Sequence, residues 1–219
     1  MRILKNIVLL ISVSTLLGSC GKPAGNVESS GTGTPEISAV SNEKLLEGTA
    51  DTSGWYMYGG SYESWRYSPI KKINKRNVSK LRPEWIFQTG TSGQMGGSPV
   101  VADGVMYLTA PYNNVWALNA KTGETLWHYE KDLPSDLRLC CGPANRGVAI
   151  SGKNIFMATL DAYLLALDRV TGEVVWEVKL EEYKTGYSTT NAPIIIDDLV
   201  ITGISGGEYG ARGFIDAYE

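Results

Sequence analysis

The sequence predicts an all-β protein, a partial β-propeller of about two blades plus part of a third, not closed into a ring. Three observations carry this reading. The stretch Ala117 to Trp127 repeats as Ala166 to Trp176, with Ala-Leu, Thr-Gly-Glu and Trp at matching places 49 positions apart, and such a period belongs to propeller blades. Each copy is preceded by an apolar run, Val105 to Thr109 or Ile155 to Thr159, entered through a glycine-containing turn, Asp103-Gly104 or Ser151-Gly152. No amphipathic segment of helical length lies between them, which weighs against an α/β arrangement.

Each element of the repeat has a physical reason. The short polar side chain of Asn119 or Asp168 can accept a turn amide, Gly123 or Gly172 can take a positive φ, and Trp127 or Trp176 returns on the next strand to pack between blades. A third copy starts at Leu199 to Gly203, after the Asp197-Asp198 turn, and Phe214 to Glu219 aligns with the strand that leads into the next turn. Propellers remove exposed strand edges by closing a ring of about four to eight blades. The repeats present cannot close alone, so the sequence reads as a fragment of a longer protein or a truncated product. Ahead of the repeats, Ile73 to Leu81 offers one short helical turn at most before Pro83, and Glu84 to Gln88 reads as a strand. Trp55, Tyr56, Tyr58, Tyr62, Trp65 and Tyr67 crowd into one stretch, as an aromatic clasp on a larger body would.

At the amino terminus, Arg2 and Lys5 flank an apolar run from Ile7 to Leu17 that is too short for a stable final membrane span and reads as an export signal. Leu17-Gly18-Ser19-Cys20 resembles a lipoprotein processing box, with Cys20 lipidated; an ordinary signal peptide cut nearby is the alternative. The expected organisation is a signal over residues 1–19, a lipidated cysteine and flexible tether over 20–50, and the propeller domain over 51–219. The tether rests on a Gly, Ser, Thr and Pro composition with little to bury. Export places the chain in an oxidising compartment, on the periplasmic side and anchored to the membrane through Cys20. The net charge of −3 becomes more negative once the signal is removed, which argues against nucleic acid as a partner.

Cys140-Cys141 is the chemically pointed feature. Adjacent cysteines can form a vicinal disulfide, a rigid ring that hardly constrains the unfolded chain and so has its use in the folded state, as a hard platform for a planar ligand. Two free thiols or a paired metal site are the alternatives, although thiol ligands are normally spaced by two or more residues.

The Cys-Cys pair followed by Asn145-Arg146-Gly147, and the later segment Ser205-Gly206-Gly207-Glu208-Tyr209-Gly210-Ala211-Arg212-Gly213, resemble the amino-terminal part of the pyrroloquinoline-quinone (PQQ) dependent alcohol dehydrogenases, from about Trp55 to the last residue. The resemblance implies a propeller of PQQ-like repeats and an oxidoreductase acting on primary alcohols with PQQ and a metal ion, calcium or a lanthanide. It implies that the Cys140–Cys141 disulfide lies on one face of PQQ. Arg146, Thr190, Ser205, Gly206 and Gly207 would contact the cofactor, and Glu208 would coordinate the metal; Thr189 competes with Thr190 for its role. Gly96 stands where the family places a cofactor-contacting glutamate. The catalytic base and the second face of the cofactor belong to later blades, so no catalytic residue is assigned and the chain alone is expected to be inactive. The small alcohol substrate and a periplasmic electron acceptor are the implied partners. His128 has no ligand companion and reads as structural or exposed. A lipid-anchored propeller scaffold in outer-membrane protein assembly, without cofactor, is the alternative; it fits Cys20 but gives no reason for Cys140-Cys141 or Ser205 to Glu208.

Overall fold

The computed structural model describes residues 35–219. The signal, the box at Cys20 and the first part of the tether lie outside the described residues. Three antiparallel sheets follow in chain order. The first holds β1 (Val100–Ala102), β2 (Val105–Ala110), β3 (Asn114–Asn119) and β4 (Thr125–Glu130). The second holds β5 (Ala149–Ser151), β6 (Asn154–Ala158), β7 (Tyr163–Asp168) and β8 (Val174–Lys179). The third has three strands, β9 (Ile194–Ile196), β10 (Leu199–Gly203) and β11 (Ile215–Tyr218). These are the two blades and part of a third that the repeat predicts.

The repeat holds residue by residue. Tyr107 pairs with Ala117 and Phe156 with Ala166. Both outer ladders slip at the same place, between Ala117 and Leu118 and between Ala166 and Leu167. Leu126 and Val175 are the extra residues, and each bulge adds local twist to its outer strand. Strands β3 and β7 are almost wholly buried, whereas β4 and β8 are exposed or half-buried along their length. Inner strands packed on both faces need continuous apolar runs; outer strands do not.

Tryptophan locks one blade to the next. Trp127 of β4 donates its Nε1–H to the Arg169 carbonyl of the second blade at 3.0 Å. Its ring lies so close over Gly172 that a Cβ there would stand 2.6 Å from Trp127 Cε3, and Gly172 has φ 76°. Only glycine meets both requirements cheaply. Trp85 repeats the contact, with Nε1–H on the Ala120 carbonyl at 3.1 Å and the ring over Gly123. The strand expected at Glu84 to Gln88 does not form: the segment pairs with no strand among the described residues, and its order comes from this docked indole. The helical turn expected before Pro83 is a single 3-10 turn, Val78–Lys80.

The aromatic stretch divides. The Trp55 main chain exchanges two 2.8 Å hydrogen bonds with Val101 of β1, Tyr56 is buried, and the Tyr62 hydroxyl donates to the Ile195 carbonyl at 2.7 Å. Trp65 and Tyr67 instead stand exposed; left-handed residues Ser64 and Arg66 turn the chain away there. The packed unit also reaches back into the stretch read as tether. Val40 pairs with Gly152, and Leu45 is buried in the short helix α1 (Asn42–Glu47). A few well-placed apolar residues suffice where a ready surface receives them.

Two polar clusters hold this amino-terminal strap. The fully buried Arg169 donates to Asp103 Oδ2 at 3.0 Å, the Tyr107 hydroxyl at 3.2 Å, and the carbonyls of Ser38 at 2.7 Å and Gly152 at 3.3 Å. At the other end Asp51 pairs with Lys44 and accepts from the Ser53 amide, the Ser53 hydroxyl and the Tyr56 hydroxyl. The Lys44 ammonium first, then the Ser53 donors, hold the Asp51 carboxyl well below the usual carboxylate range. A depressed folded-state pKa gives stability that is complete above the unfolded value, about 4, and is lost as pH falls through the folded one. Amide exchange at Leu45 is therefore expected to accelerate, relative to the blade strands, only as pH falls below about 4. Unchanged relative protection down to pH about 2 would contradict this role for Asp51.

Candidate functional site

The meander places five connections at one end of the sheets: β2 to β3, β4 to β5, β6 to β7, β8 to β9 and β10 to β11. The residues assigned to the cofactor and the metal from the sequence lie on three of these. Cys140, Cys141 and Arg146 lie between β4 and β5, Thr190 between β8 and β9, and Ser205 to Glu208 between β10 and β11.

A main-chain ladder across blades sets their spacing. The Ser98 N–H donates to the Arg146 carbonyl at 3.1 Å and the Arg146 N–H donates to the Thr190 carbonyl at 3.0 Å. The Arg146 guanidinium continues the link, with Nη1 bonded to the Thr190 hydroxyl and 3.3 Å from its carbonyl. Its Nε and Nη2 groups make no hydrogen bond among the described residues, and the side chain is exposed. Thr189, the alternative to Thr190, lies deeper. It is buried, and its hydroxyl donates to the Thr159 carbonyl at 2.7 Å.

The second half of the site is tied on by Ser188. Its main chain exchanges two hydrogen bonds with Ser205, of 3.2 and 2.8 Å. The Ser205 hydroxyl donates to the Ser188 carbonyl at 2.7 Å, with the two hydroxyls 3.1 Å apart. The side-chain donor expected of Ser205 is thus engaged within the chain. Gly206, at φ 126°, presses on the Gly186 carbonyl where any Cβ would overlap it; glycine is required there. The Gly207 N–H has no acceptor among the described residues. Glu208 lies exposed on the 3-10 turn Gly207–Tyr209. No group of three or more His, Cys, Asp or Glu side chains suited to a metal occurs among the described residues.

Cys140 and Cys141 are exposed and their sulfurs are side by side, with Cα atoms 3.8 Å apart. Gly96 is exposed, with open space around it and no carboxylate supplied in its place. His128 is structural: it stacks on Trp116 at 4.3 Å and bonds Asn114 Oδ1 at 2.7 Å.

Sequence reasoning missed the supports. Buried Asn145 donates to the Ala158 carbonyl at 3.0 Å and accepts from the Gly147 N–H at 3.0 Å, so it pins the main chain on either side of Arg146. Ser188 and Gly186 are equally silent in the sequence. Thr159 carried the one available signal, since it matches the repeated strand end.

Free guanidinium and amide donors, a flat sulfur surface and one carboxylate fit a planar, carboxylate-bearing group on one side. A single carboxylate does not complete the shell of a hard cation, which takes six or more oxygens. The fold and this end-face define a propeller-blade protein with unpaired donors gathered at one end of its blades.

The family follows from comparison. A model described as the PQQ glucose/ethanol/alcohol dehydrogenase β-propeller domain matches residues 55–219, and the chain belongs to that family. It is 45% identical over 183 residues to the quinoprotein alcohol dehydrogenase PedH of Pseudomonas putida, covering 83% of this chain and 31% of that protein. It is 40% identical over 191 residues to methanol dehydrogenase [cytochrome c] subunit 1 of Methylobacterium organophilum, covering 83% and 30%. The solved structure of a europium-containing methanol dehydrogenase superposes with a TM-score of 0.77 at 37% identity, over 81% of this chain and 32% of that one. The chain therefore spans about a third of the length of these relatives. A cofactor-free assembly scaffold is not favoured by them.

Proposed function

We propose that this chain supplies one wall of the active site of a PQQ-dependent alcohol dehydrogenase acting on primary alcohols. The single observation that carries the reading is the ladder from Ser98 through Arg146 to Thr190, which brings the unpartnered Nε and Nη2 of Arg146 and the Thr190 hydroxyl to the end of the blades where Cys140–Cys141 and Ser205 to Glu208 also lie. PQQ, bound there with calcium or a lanthanide, would accept the hydride of alcohol oxidation. Arg146 would meet its carboxylate and carbonyl oxygens, a task for which a planar guanidinium is suited. Thr190, Ser205, Gly206 and the Gly207 N–H would fix its edge, with Ser205 turning its hydroxyl away from the Ser188 carbonyl to do so. The Cys140–Cys141 pair, closed as a disulfide, would hold one face flat, and Glu208 would give the metal one ligand. The electron acceptor would be of the kind named for the Methylobacterium relative, a cytochrome c. The test is a dye-linked assay with short primary alcohols on this chain extended to the length of its relatives. Metal-dependent turnover abolished by Glu208→Ala is expected; turnover indifferent to Glu208 and Arg146 would overturn the assignment.

We also infer that the protein is exported and lipid-anchored through Cys20, on the strength of the sequence before it. No helix among the described residues is long and apolar enough to cross a membrane. Mass analysis of the amino-terminal peptide should find acyl and diacylglycerol mass on Cys20. A mature product that begins elsewhere would remove the anchor and leave export standing.

A further inference from the structure

The turn between β2 and β3 holds two successive non-glycine residues in the left-handed region, Tyr112 at φ 63° and Asn113 at φ 57°. That conformation is unfavourable for any side chain with a Cβ, tyrosine above all, and persists only where the surroundings impose it. Three contacts do so. Asn114 donates to the Pro111 carbonyl at 2.9 Å and is itself held by His128. The fully buried Asn113 accepts the Leu160 N–H of the second blade at 3.2 Å. The Tyr112 N–H donates to the Pro143 carbonyl at 3.0 Å, two residues beyond Cys141. Pro111 and Pro143 also share one neighbour, since a Cβ on Gly93 would lie 3.1 Å from the first and 3.7 Å from the second.

Packing alone does not explain an asparagine here. Its Nδ2 is buried without a partner, an unfavourable state that a residue with no amide would avoid. What asparagine adds is tolerance of the left-handed backbone together with an acceptor for the second blade.

We propose that Asn113 is a positioning residue for the Cys140–Cys141 loop. It fixes the turn against the second blade and so aims the Tyr112 N–H at Pro143. The inference rests on the reading that the two cysteines form the rigid face of the cofactor site. Their sulfurs touch the cofactor in that reading; Asn113 acts only through the loop.

The test titrates the purified chain with dithiothreitol, whose two thiols give two electrons and two protons to the Cys140–Cys141 bond. The products are two cysteine thiols and the cyclic disulfide, and alkylation counts the thiols. Asn113→Gly keeps the left-handed backbone and removes the acceptor. It should ease reduction on the order of tenfold in reductant ratio, the scale of one lost hydrogen bond, and quicken exchange of the Tyr112 amide. Ile155→Val, a loss of core packing elsewhere, should lower stability without moving either readout. Equal midpoints and equal Tyr112 exchange in Asn113→Gly and the unsubstituted chain would overturn the proposal. Should both thiols of the unsubstituted chain alkylate without reductant, the cofactor-face reading falls, and Tyr112 exchange alone decides whether Asn113 positions the loop.

Discussion

Supplied with PQQ and calcium or a lanthanide, the 219-residue chain alone is expected to oxidise short primary alcohols many orders of magnitude more slowly than a relative of full length. Orientation of reactants can supply about 7–11 kcal/mol of a barrier, and preorganised electrostatics is usually the largest single contribution. Both need a site closed on more than one side. The described residues give Arg146, Thr190 and the Ser205 to Glu208 turn on one side only, with Glu208 as the sole carboxylate assigned to the metal and no positioned base. Cofactor held on this wall would face solvent, where its charges are screened and the alcohol is free to tumble. A dye-linked assay of the chain beside a full-length relative measures the gap. Saturable, metal-dependent turnover by the short chain, lost in Glu208→Ala, would mean that another polypeptide or a second copy completes the site.

The second large effect concerns stability. Arg169→Met is expected to cost about 3 kcal/mol, near the low end for removing one partner of a buried ion pair. The guanidinium is fully buried and meets four acceptors drawn from the first blade, the second blade and the strap. Methionine fills much of the volume and satisfies none of them. The cost stays at the low end because Asp103, a quarter exposed, can turn to water, whereas Tyr107 cannot; burial already pushes its phenol up in pKa, so it remains a neutral donor. Chemical denaturation reads the difference. Adding Asp103→Asn should recover part of the loss, because a neutral amide is left more cheaply without its cation. A change below about 0.5 kcal/mol, the range of an ordinary surface substitution, would show that the Arg169 cluster does not hold the strap.

The blades were legible because the repeat encodes them locally. Asn119 and Asp168 cap their own turns, the turn glycines lie in the left-handed region, and each tryptophan sits where the pattern puts it. The site was legible only as far as its unusual residues, Cys140-Cys141 and Ser205 to Glu208, announced it. Its supports were not, because Asn145, Ser188, Gly186 and Asn113 act across distances that no period in the sequence measures. Each is an ordinary residue made specific by a main-chain group some ten to fifty positions away. Glu84 to Gln88 failed as a strand for a related reason. A β-type composition gives a chain the capacity to pair, but pairing needs a neighbour, and this segment has none among the described residues. Residues 36–50 failed as a tether because Val40 and Leu45 look trivial until the surface that receives them is known.

The docking of Trp127 on a glycine of the following blade also dictates timing. Trp127 cannot find its seat until Gly172, 45 residues later, has been made. At synthesis rates of roughly 5–20 residues per second, that is an interval of seconds in which a finished blade carries an unsheltered indole at its rim. A chain built this way matures like a zip drawn from one end, with each tooth held open for the next. The hazard of premature self-adhesion therefore travels with the growing point instead of spreading over the whole polypeptide.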